Sequence, residues 1–170
     1  MKESPGHEDP TLASMVGRAA GMSVVVVERG PVGAFAGAVF DDGAVYRDQR
    51  AAAAAGFDSV PAPPTYPIAL AHWGSFEELQ PEGERLRPPS AVLAPFAERG
   101  GLLLHGEQEF EYQRPIVVGD VLVGEARIVD AYRKESKGRM MTFVVVETTW
   151  RDQATGELVA RARSNLIHRA

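Results

Sequence analysis

The C-terminal part of the chain, residues 102–169, alternates apolar and polar side chains with a period of two. That period is typical of β-strands that bury one face. Turn signals rich in Gly, Pro and Asp interrupt it at 115–120, 134–138 and 152–156. The pattern therefore predicts four strands joined by hairpins, each longer than the usual length of about five or six residues.

The N-terminal part has a different pattern, in which small and apolar residues recur at helical spacing between Pro and Gly breakers. We predict a flexible lead-in over 1–14 and one folded domain over 15–170. Within the domain the predicted elements are a strand at 23–27, a helix starting at Pro31, a helix at 49–55 between an Asp48 N-cap and Gly56, a helix at 66–72, a surface excursion at 75–90, and a helix within 90–98.

Small side chains on the last predicted strand indicate how the sheet and the helices pack. Ala160, Ala162 and Ser164 share one face, which leaves room for a thick element such as the helix at 66–72. A long sheet curves and must cover one face. The predicted class is therefore α+β, with a long curved antiparallel sheet wrapped around a central helix. Strict alternation also places Tyr132 on the same face as the apolar residues earlier in its strand.

Composition narrows the functional classes. The 170-residue chain has a formal net charge of −5 and no run of Lys or Arg, which argues against nucleic acid as a partner. It has no cysteine and its four histidines form no i, i+4 pair, so we expect no disulfide, no metal and no cofactor. No apolar run approaches the ~20 residues of a membrane span, and the N-terminus lacks a signal-peptide pattern. We therefore expect a cytoplasmic protein without a membrane partner.

Three segments carry a resemblance to a known family: VFDDGAVYRDQRAAAAAGFDSVPAPPTYPIAL, LLHGEQEFEYQRPIVVGDVLVGEARIVD and MMTFVVVETTWRDQATGELVARARSNLIHR. They resemble the MaoC-like dehydratases, in particular the N-terminal-domain branch, over nearly the whole chain. The resemblance implies a hot-dog fold, in which a long antiparallel sheet wraps a central helix. It also implies (R)-specific hydration or dehydration of acyl thioesters, on CoA or acyl carrier protein, by a homodimer or heterodimer of hot dogs.

The hydratase motif of active family members is kept only in part. That motif has an Asp and, five residues later, a His; here Asp41 takes the first position, Tyr46 the second, and Asp48 a later acidic position. Phe40 stands where the family has Gly. A His with a pKa of about 6.5 exchanges protons at neutral pH, whereas a phenol with a pKa of about 10 does not. Asp41 and Tyr46 are thus the candidate catalytic pair, although the residues 41–43 also fit an ordinary turn and Tyr46 fits a pocket-lining aromatic.

A second departure concerns the entrance to the central helix. Active members place His-Gly there, and the Gly N–H polarises the thioester carbonyl. Pro64 falls at or beside that Gly, and proline has no N–H to donate. The resemblance implies substrate contacts from Pro64, Thr65 and Tyr66, with the amide of Thr65 or Tyr66 as the alternative donor.

Other polar residues offer weaker candidates. His105 lies beside acids and is a further substrate-binding candidate, since it could act as a base oriented by Glu107 two residues along the strand; the alternative is a structural polar pair. Arg161 and Arg163 could meet a phosphate of CoA, and the alternative is a solvated outer face. His168 lies near the C-terminus and is expected to be exposed.

Two departures in one constellation favour a substrate-binding, catalytically degenerate half of an (R)-3-hydroxyacyl-thioester dehydratase or enoyl-thioester hydratase. Its partner is then a second MaoC-like chain that keeps the Asp and the His. The alternatives are a non-enzymatic acyl-thioester binding module and a hot-dog acyl-CoA thioesterase that uses Asp41 or Glu107.

Overall fold

The computed structural model describes residues 10–73, 92, 96, 98, 100–136 and 138–169. Among them no helix is both long and apolar enough to cross a bilayer. The predicted excursion at 75–90 and most of the predicted helix within 90–98 lie outside the described residues. The elements, in chain order, are α1 (Pro10–Ala13), β1 (Ala19–Val26), α2 (Arg29–Ala38), a 3-10 turn (Ala44–Tyr46), α3 (Gln49–Ala54), α4 (Pro67–Trp73), β2 (Leu102–Tyr112), β3 (Val121–Ser136), β4 (Arg139–Asp152) and β5 (Leu158–Arg169).

The strands form one antiparallel sheet in the order β1-β3-β4-β5-β2. Four long strands are confirmed, and the hairpin connections are confirmed for β3-β4 and β4-β5. The hairpin expected between β2 and β3 is wrong, because β2 pairs with β5 at the far edge. The connecting segment instead crosses the end of the sheet, where Val117 bridges to Pro61.

The central helix is α4, and it packs inside the curve of the sheet. Tyr66 and Leu70 are buried in the same apolar cluster as Trp150 of β4 and Ala160 of β5. The methyl side chain of Ala160 lets the helix approach the strand closely, as the small residues of β5 predict. The predicted α+β class, with a long antiparallel sheet around a central helix, is confirmed.

The predicted helix at 49–55 is confirmed as α3 with its expected cap. The Asp48 carboxylate accepts a hydrogen bond from the Ala51 N–H at 2.8 Å, which satisfies one of the free amides of the first turn. Gly56 ends the helix with a φ of 89°, a conformation that glycine adopts without strain. By contrast, α2 begins at Arg29, before the predicted start at Pro31.

The segment predicted as a flexible lead-in contributes to the core. Of 1–14 the structure describes 10–14, and Leu12 of α1 is 1% exposed. Its cluster includes Ala126 and Ile128 of β3. Leu12 thus packs on the sheet, although one apolar side chain in a four-residue helix is too little to form a detectable period.

A β-bulge overturns the prediction for Tyr132. The register between β3 and β4 shifts between Ile128 and Asp130, and the extra residue turns every later side chain of β3 to the opposite face. Ala131 is consequently fully buried. Tyr132 lies on the outer face, stacked on Phe143 with ring centroids 4.8 Å apart.

Candidate functional site

The segment between α2 and the 3-10 turn holds the partly kept motif. Phe40 has a φ of 59° and is 92% exposed. A bulky residue with positive φ is uncommon, whereas glycine adopts such a conformation freely. The position that the resemblance assigns to Gly therefore has the backbone shape of a glycine position, although Phe occupies it.

Asp41 and Tyr46 lie together around Gly43. The Gly43 N–H donates to Asp41 Oδ1 at 3.1 Å, and a Cβ on Gly43 would stand 3.3 Å from the Tyr46 ring. Burial, the charge of Asp41 and a hydrogen bond to its carboxylate all raise the pKa of the Tyr46 phenol. The phenol therefore holds its proton more tightly than a free tyrosine does, and its hydroxyl is the donor towards Asp41.

Tyr46 opens onto a groove of about 370 Å³. That size lies within the range of small-molecule sites, and the walls are largely apolar. The groove brings together two predicted site residues, Tyr46 and Pro64, with Asp41 next to Tyr46. The lining residues are Val45, Tyr46, Phe57, Pro61, Ala62, Pro64, Tyr112, Gln113, Arg114, Pro115 and Ile116.

Pro64 is fixed to the end of β2 by a side-chain hydrogen bond. The Tyr112 hydroxyl donates to the Pro64 carbonyl at 2.7 Å, and burial raises the pKa of this phenol strongly. The bond ties the loop before α4 to the edge strand of the sheet. Pro64 lines the groove and has no N–H to offer there.

Tyr66 and Thr65 differ sharply in their surroundings. The Tyr66 N–H donates to the Pro63 carbonyl at 2.9 Å. The Tyr66 ring is 1% exposed and meets Phe35 edge to face at 5.3 Å. Tyr66 therefore belongs to the core and does not line the groove, which leaves the amide of exposed Thr65 as the donor that the entrance of α4 can offer.

Arg114 is a groove residue that the sequence reasoning missed. Its guanidinium contacts Asp120 at 2.8 Å and Asp152 at 3.4 Å, and the hydrogen bond to Asp120 is the main reason that its pKa is raised. Asp120 also accepts the Val117 N–H at 3.0 Å. Arg114 therefore anchors the crossing segment against the ends of two strands. The only signal in the sequence is its position between the end of a strand and Pro115.

The structure places His105 away from the groove. Only the Tyr112 end of β2 reaches the groove, and seven residues further back corresponds to roughly 20 Å along a strand. A bulge between His105 and Gln108 shifts the register, so that His105 stands opposite Leu166. The bulge interrupts the alternation that would have placed His105 and Glu107 on one face, and Glu107 lines a separate depression.

The arginines of β5 meet carboxylates on the neighbouring strands. Arg161 lies 3.3 Å from Glu111, and Arg163 lies 2.8 Å from Glu147. All four side chains line one shallow depression in the sheet. The arrangement is that of the solvated outer face, since each guanidinium already has an acidic partner.

The prediction that His168 is exposed is wrong. Its side chain is buried, with 5% exposure, and Nε2 lies 2.7 Å from the Gly100 carbonyl oxygen. The ring packs against Phe96 at a centroid distance of 5.6 Å. His168 is buried because it lies on the inner face of β5, although it is close to the end of the chain.

The sequence of this chain matches the profile of one family over residues 14–162: the FAS1-like, dehydratase domain region. The chain belongs to that family. Among curated proteins it is similar to a UPF0336 protein of Thermobifida fusca, with 36% identity over 61% of this chain and 60% of the relative. It is also similar to a UPF0336 protein of Saccharopolyspora erythraea, with 33% identity over 84% of this chain and 81% of the relative.

Solved structures agree with the family on the fold. A chain named MaoC-like dehydratase superposes with a TM-score of 0.68 and 27% identity, covering 91% of this chain and 42% of the other. A chain of the HadBC (3R-hydroxyacyl-ACP dehydratase) complex from Mycobacterium tuberculosis superposes with a TM-score of 0.63 and 24% identity, covering 90% and 96%. The hot-dog fold and the relation to MaoC-like dehydratases are thus confirmed.

Proposed function

We propose that this chain is the substrate-binding, catalytically degenerate half of an (R)-3-hydroxyacyl-thioester dehydratase or enoyl-thioester hydratase. The observation that carries the proposal is the Tyr46 phenol, which lines the groove and lies beside Asp41, at the place where active members of the family have a His. The dehydratase family supports the reaction class. The similar chain whose name describes it as part of a dehydratase complex supports a second chain.

The chemistry explains why Tyr46 matters. Hydration of an enoyl thioester adds a hydroxyl to C3 and a proton to C2, and dehydration reverses both transfers. A group that moves these protons at neutral pH works best with a pKa near that pH. Burial and Asp41 shift the pKa of Tyr46 upward from about 10, away from that range. Tyr46 therefore holds the Asp41 carboxylate and leaves the proton transfer to another chain.

The entrance of α4 supports the same division of labour. An enolate-like transition state needs a hydrogen-bond donor at the thioester oxygen. Pro64 lines the groove and has no N–H, while the Tyr66 N–H is already given to Pro63. The thioester carbonyl is thus activated mainly by the partner, and Thr65 offers the remaining amide on this side.

The groove fits the acyl or pantetheine part of the substrate, on CoA or on acyl carrier protein. Phe57, Ile116 and Val45 supply apolar walls, and Gln113 supplies a polar group. An apolar groove with few polar groups is typical of sites that bind a chain and orient it. The substrate class of the proposal rests on this lining together with the family.

The partner in this proposal is a second hot-dog chain that keeps the Asp and the His. Strand β2 forms one edge of the sheet, and exposed edges are normally paired or covered. Pairing there places the second chain next to Tyr112 and the groove. Sedimentation at micromolar concentration is expected to show an oligomer once that chain is present; a monomer in its presence would contradict the proposed assembly.

The test of the function is an assay of crotonyl-CoA with the purified chain alone, following both loss of the enoyl thioester and release of free thiol. We expect neither reaction to exceed background by more than a small factor. Strong hydration that disappears in the Asp41→Asn variant would show that the chain is catalytic by itself. Release of thiol would identify a thioesterase, and binding without turnover in any hot-dog complex would identify a binding module.

A further inference from the structure

Strand β2 lies at one edge of the sheet and carries an unusual charge. It bonds to β5 on one side, and among the described residues no strand pairs with its other side, where a row of backbone groups can receive another strand. Three glutamates on this strand, Glu107, Glu109 and Glu111, are exposed. We refer to these three residues as the acidic edge.

Arginines of the same chain neutralise the acidic edge only in part. Arg161 lies 3.3 Å from Glu111. Arg163 lies 3.6 Å from Glu109 but only 2.8 Å from Glu147, so its charge is shared between two carboxylates. Two guanidinium groups therefore contact three carboxylates, those of Glu109, Glu111 and Glu147. Glu107 adds a fourth negative charge.

The symmetry of a homodimer joined through β2 would bring the negative charges of the two copies together. When two copies join β2 to β2 antiparallel, with a two-fold axis normal to the sheet, residue i faces residue S−i and S is even. Beyond the bulge, from Gln108 to Tyr112, outward residues then face outward residues. In the register that pairs residue 110 with its own copy, Glu109 of each chain faces Glu111 of the other. Like charges directly opposite each other on neighbouring strands are destabilising.

We propose that the acidic edge disfavours pairing of this chain with itself and selects a second hot-dog chain whose facing edge strand carries Lys or Arg. The inference rests on one part of the proposed function, the assembly of two hot-dog chains. The edge is continuous with the groove, because β2 ends at Tyr112 and the lining continues through Gln113 and Arg114. The choice of partner at this edge thereby decides which chain completes the groove.

The first experiment measures self-association of the full chain by sedimentation at low and high salt. Self-association of the wild type should strengthen as NaCl rises from about 0.05 M to about 0.5 M, since salt screens the repulsion. The triple variant Glu107→Gln, Glu109→Gln, Glu111→Gln should self-associate about tenfold more tightly than the wild type at low salt. Its salt dependence should be lost.

A charge-matched control separates the edge from the net charge. Glu28→Gln, Glu125→Gln and Glu157→Gln together remove the same number of charges from exposed positions outside β2. This control should keep the self-association and the salt dependence of the wild type. Equal tightening in both triple variants would overturn the proposal, because the effect would then come from overall charge.

The second experiment uses a charge-reversed copy of the chain as the partner. Wild type is mixed with the variant Glu107→Lys, Glu109→Lys, Glu111→Lys, whose folding is checked by circular dichroism, and the species are counted by native mass spectrometry. The mixed dimer should exceed both homodimers by about tenfold, and high salt should remove the preference. If the reversed chain does not fold, the Gln variants and the salt series decide the question alone.

A tight wild-type homodimer whose self-association changes neither with salt nor with the Gln substitutions would overturn the proposal. A statistical ratio of mixed dimer to homodimers with the charge-reversed copy would overturn it as well. These readouts need no turnover. A lone chain that proves to be an active hydratase would therefore contradict the proposed function while leaving the acidic edge untouched. Failure of the edge experiments would leave the assignment of the reaction as it stands.

Discussion

Tyr46 is the residue on which the catalytic argument depends, and the single variant Tyr46→His tests it. The substitution places an imidazole beside Asp41, yet Pro64 still offers no N–H to the thioester. Loss of one such donor typically costs ~10²–10³ in rate. We expect the isolated variant to remain nearly inactive towards crotonyl-CoA, and Tyr46→His combined with Pro64→Gly to be more active than either single variant.

The control for that series is Tyr46→Phe, which removes only the hydroxyl and should leave the chain as inactive as the wild type. If Tyr46→His alone came within tenfold of an active family member, the argument from Pro64 would be wrong. The Thr65 amide would then already serve the carbonyl.

A second prediction at the residue scale concerns Tyr112 and the stability of the protein at alkaline pH. Removing its hydrogen bond to Pro64 by Tyr112→Phe should cost about 0.5–1.5 kcal/mol of unfolding free energy at neutral pH. Because burial raises the pKa of this phenol above its unfolded value of about 10, the folded state holds the proton more tightly. Its contribution is full below about pH 10 and falls as the pH rises towards the folded pKa.

Urea unfolding at about pH 8 and about pH 11 measures this contribution. The wild type should lose more stability between the two pH values than Tyr112→Phe does. Tyr132→Phe is the matched control, since it removes a phenol hydroxyl whose ring stacks on Phe143 on the outer face. An equal pH dependence in wild type and Tyr112→Phe would contradict the account.

At the scale of elements, the contact between β3 and β4 depends on a missing side chain. A Cβ on Gly124 would overlap the ring of Trp150, which is fully buried in the main core cluster. Gly124→Ala should therefore lower the unfolding free energy by about 1–3 kcal/mol. In α2 the same change has the opposite sign: a Cβ on Gly33 meets no neighbouring atom within 4 Å, so Gly33→Ala should gain up to about 1 kcal/mol of helix propensity.

Urea unfolding of the two variants checks these signs together. A Gly124→Ala protein as stable as the wild type would show that Trp150 can move aside. That result would mean that the close packing of β3 on β4 is not what fixes the ring.

The elements also show where reading the sequence succeeds and where it fails. Alternation with a period of two runs through every residue of a strand, so the four long strands could be predicted. The cap of α3 could be predicted because Asp48 precedes the helix. A bulge adds one residue to a strand without a mark in the composition. The bulge in β3 reversed the face of Tyr132, and the bulge in β2 separated His105 from Glu107. The pairing of β2 with β5 depends on contacts distant in the chain, which no local pattern records.

The candidate site divides in the same way. Asp41 and Tyr46 could be found because the motif keeps its spacing, and the structure places Asp41 next to Tyr46, which lines the groove. Arg114 could not be found, because its role depends on Asp120 and Asp152 meeting it across the end of the sheet. Ion pairs between separate elements appear only when the topology is known.

At the scale of the whole molecule, one hot dog in the proposed complex is half of a catalytic unit. The chain supplies a groove, an edge strand and a phenol beside Asp41. In the proposed complex the proton transfers belong to a second chain. Substitutions at the equivalent positions of the two halves should therefore have very unequal effects on turnover.

The most direct measurement is the turnover of crotonyl-CoA by a purified complex of this chain with a hot-dog chain that keeps the Asp and the His. Asp41→Asn in this chain should change the rate by less than about threefold, whereas loss of the His in the other chain should lower it by ~10²–10⁴. Sedimentation of each variant complex confirms that assembly is unchanged. If Asp41→Asn abolished turnover in the intact complex, this chain would itself carry the catalytic carboxylate, contrary to the account.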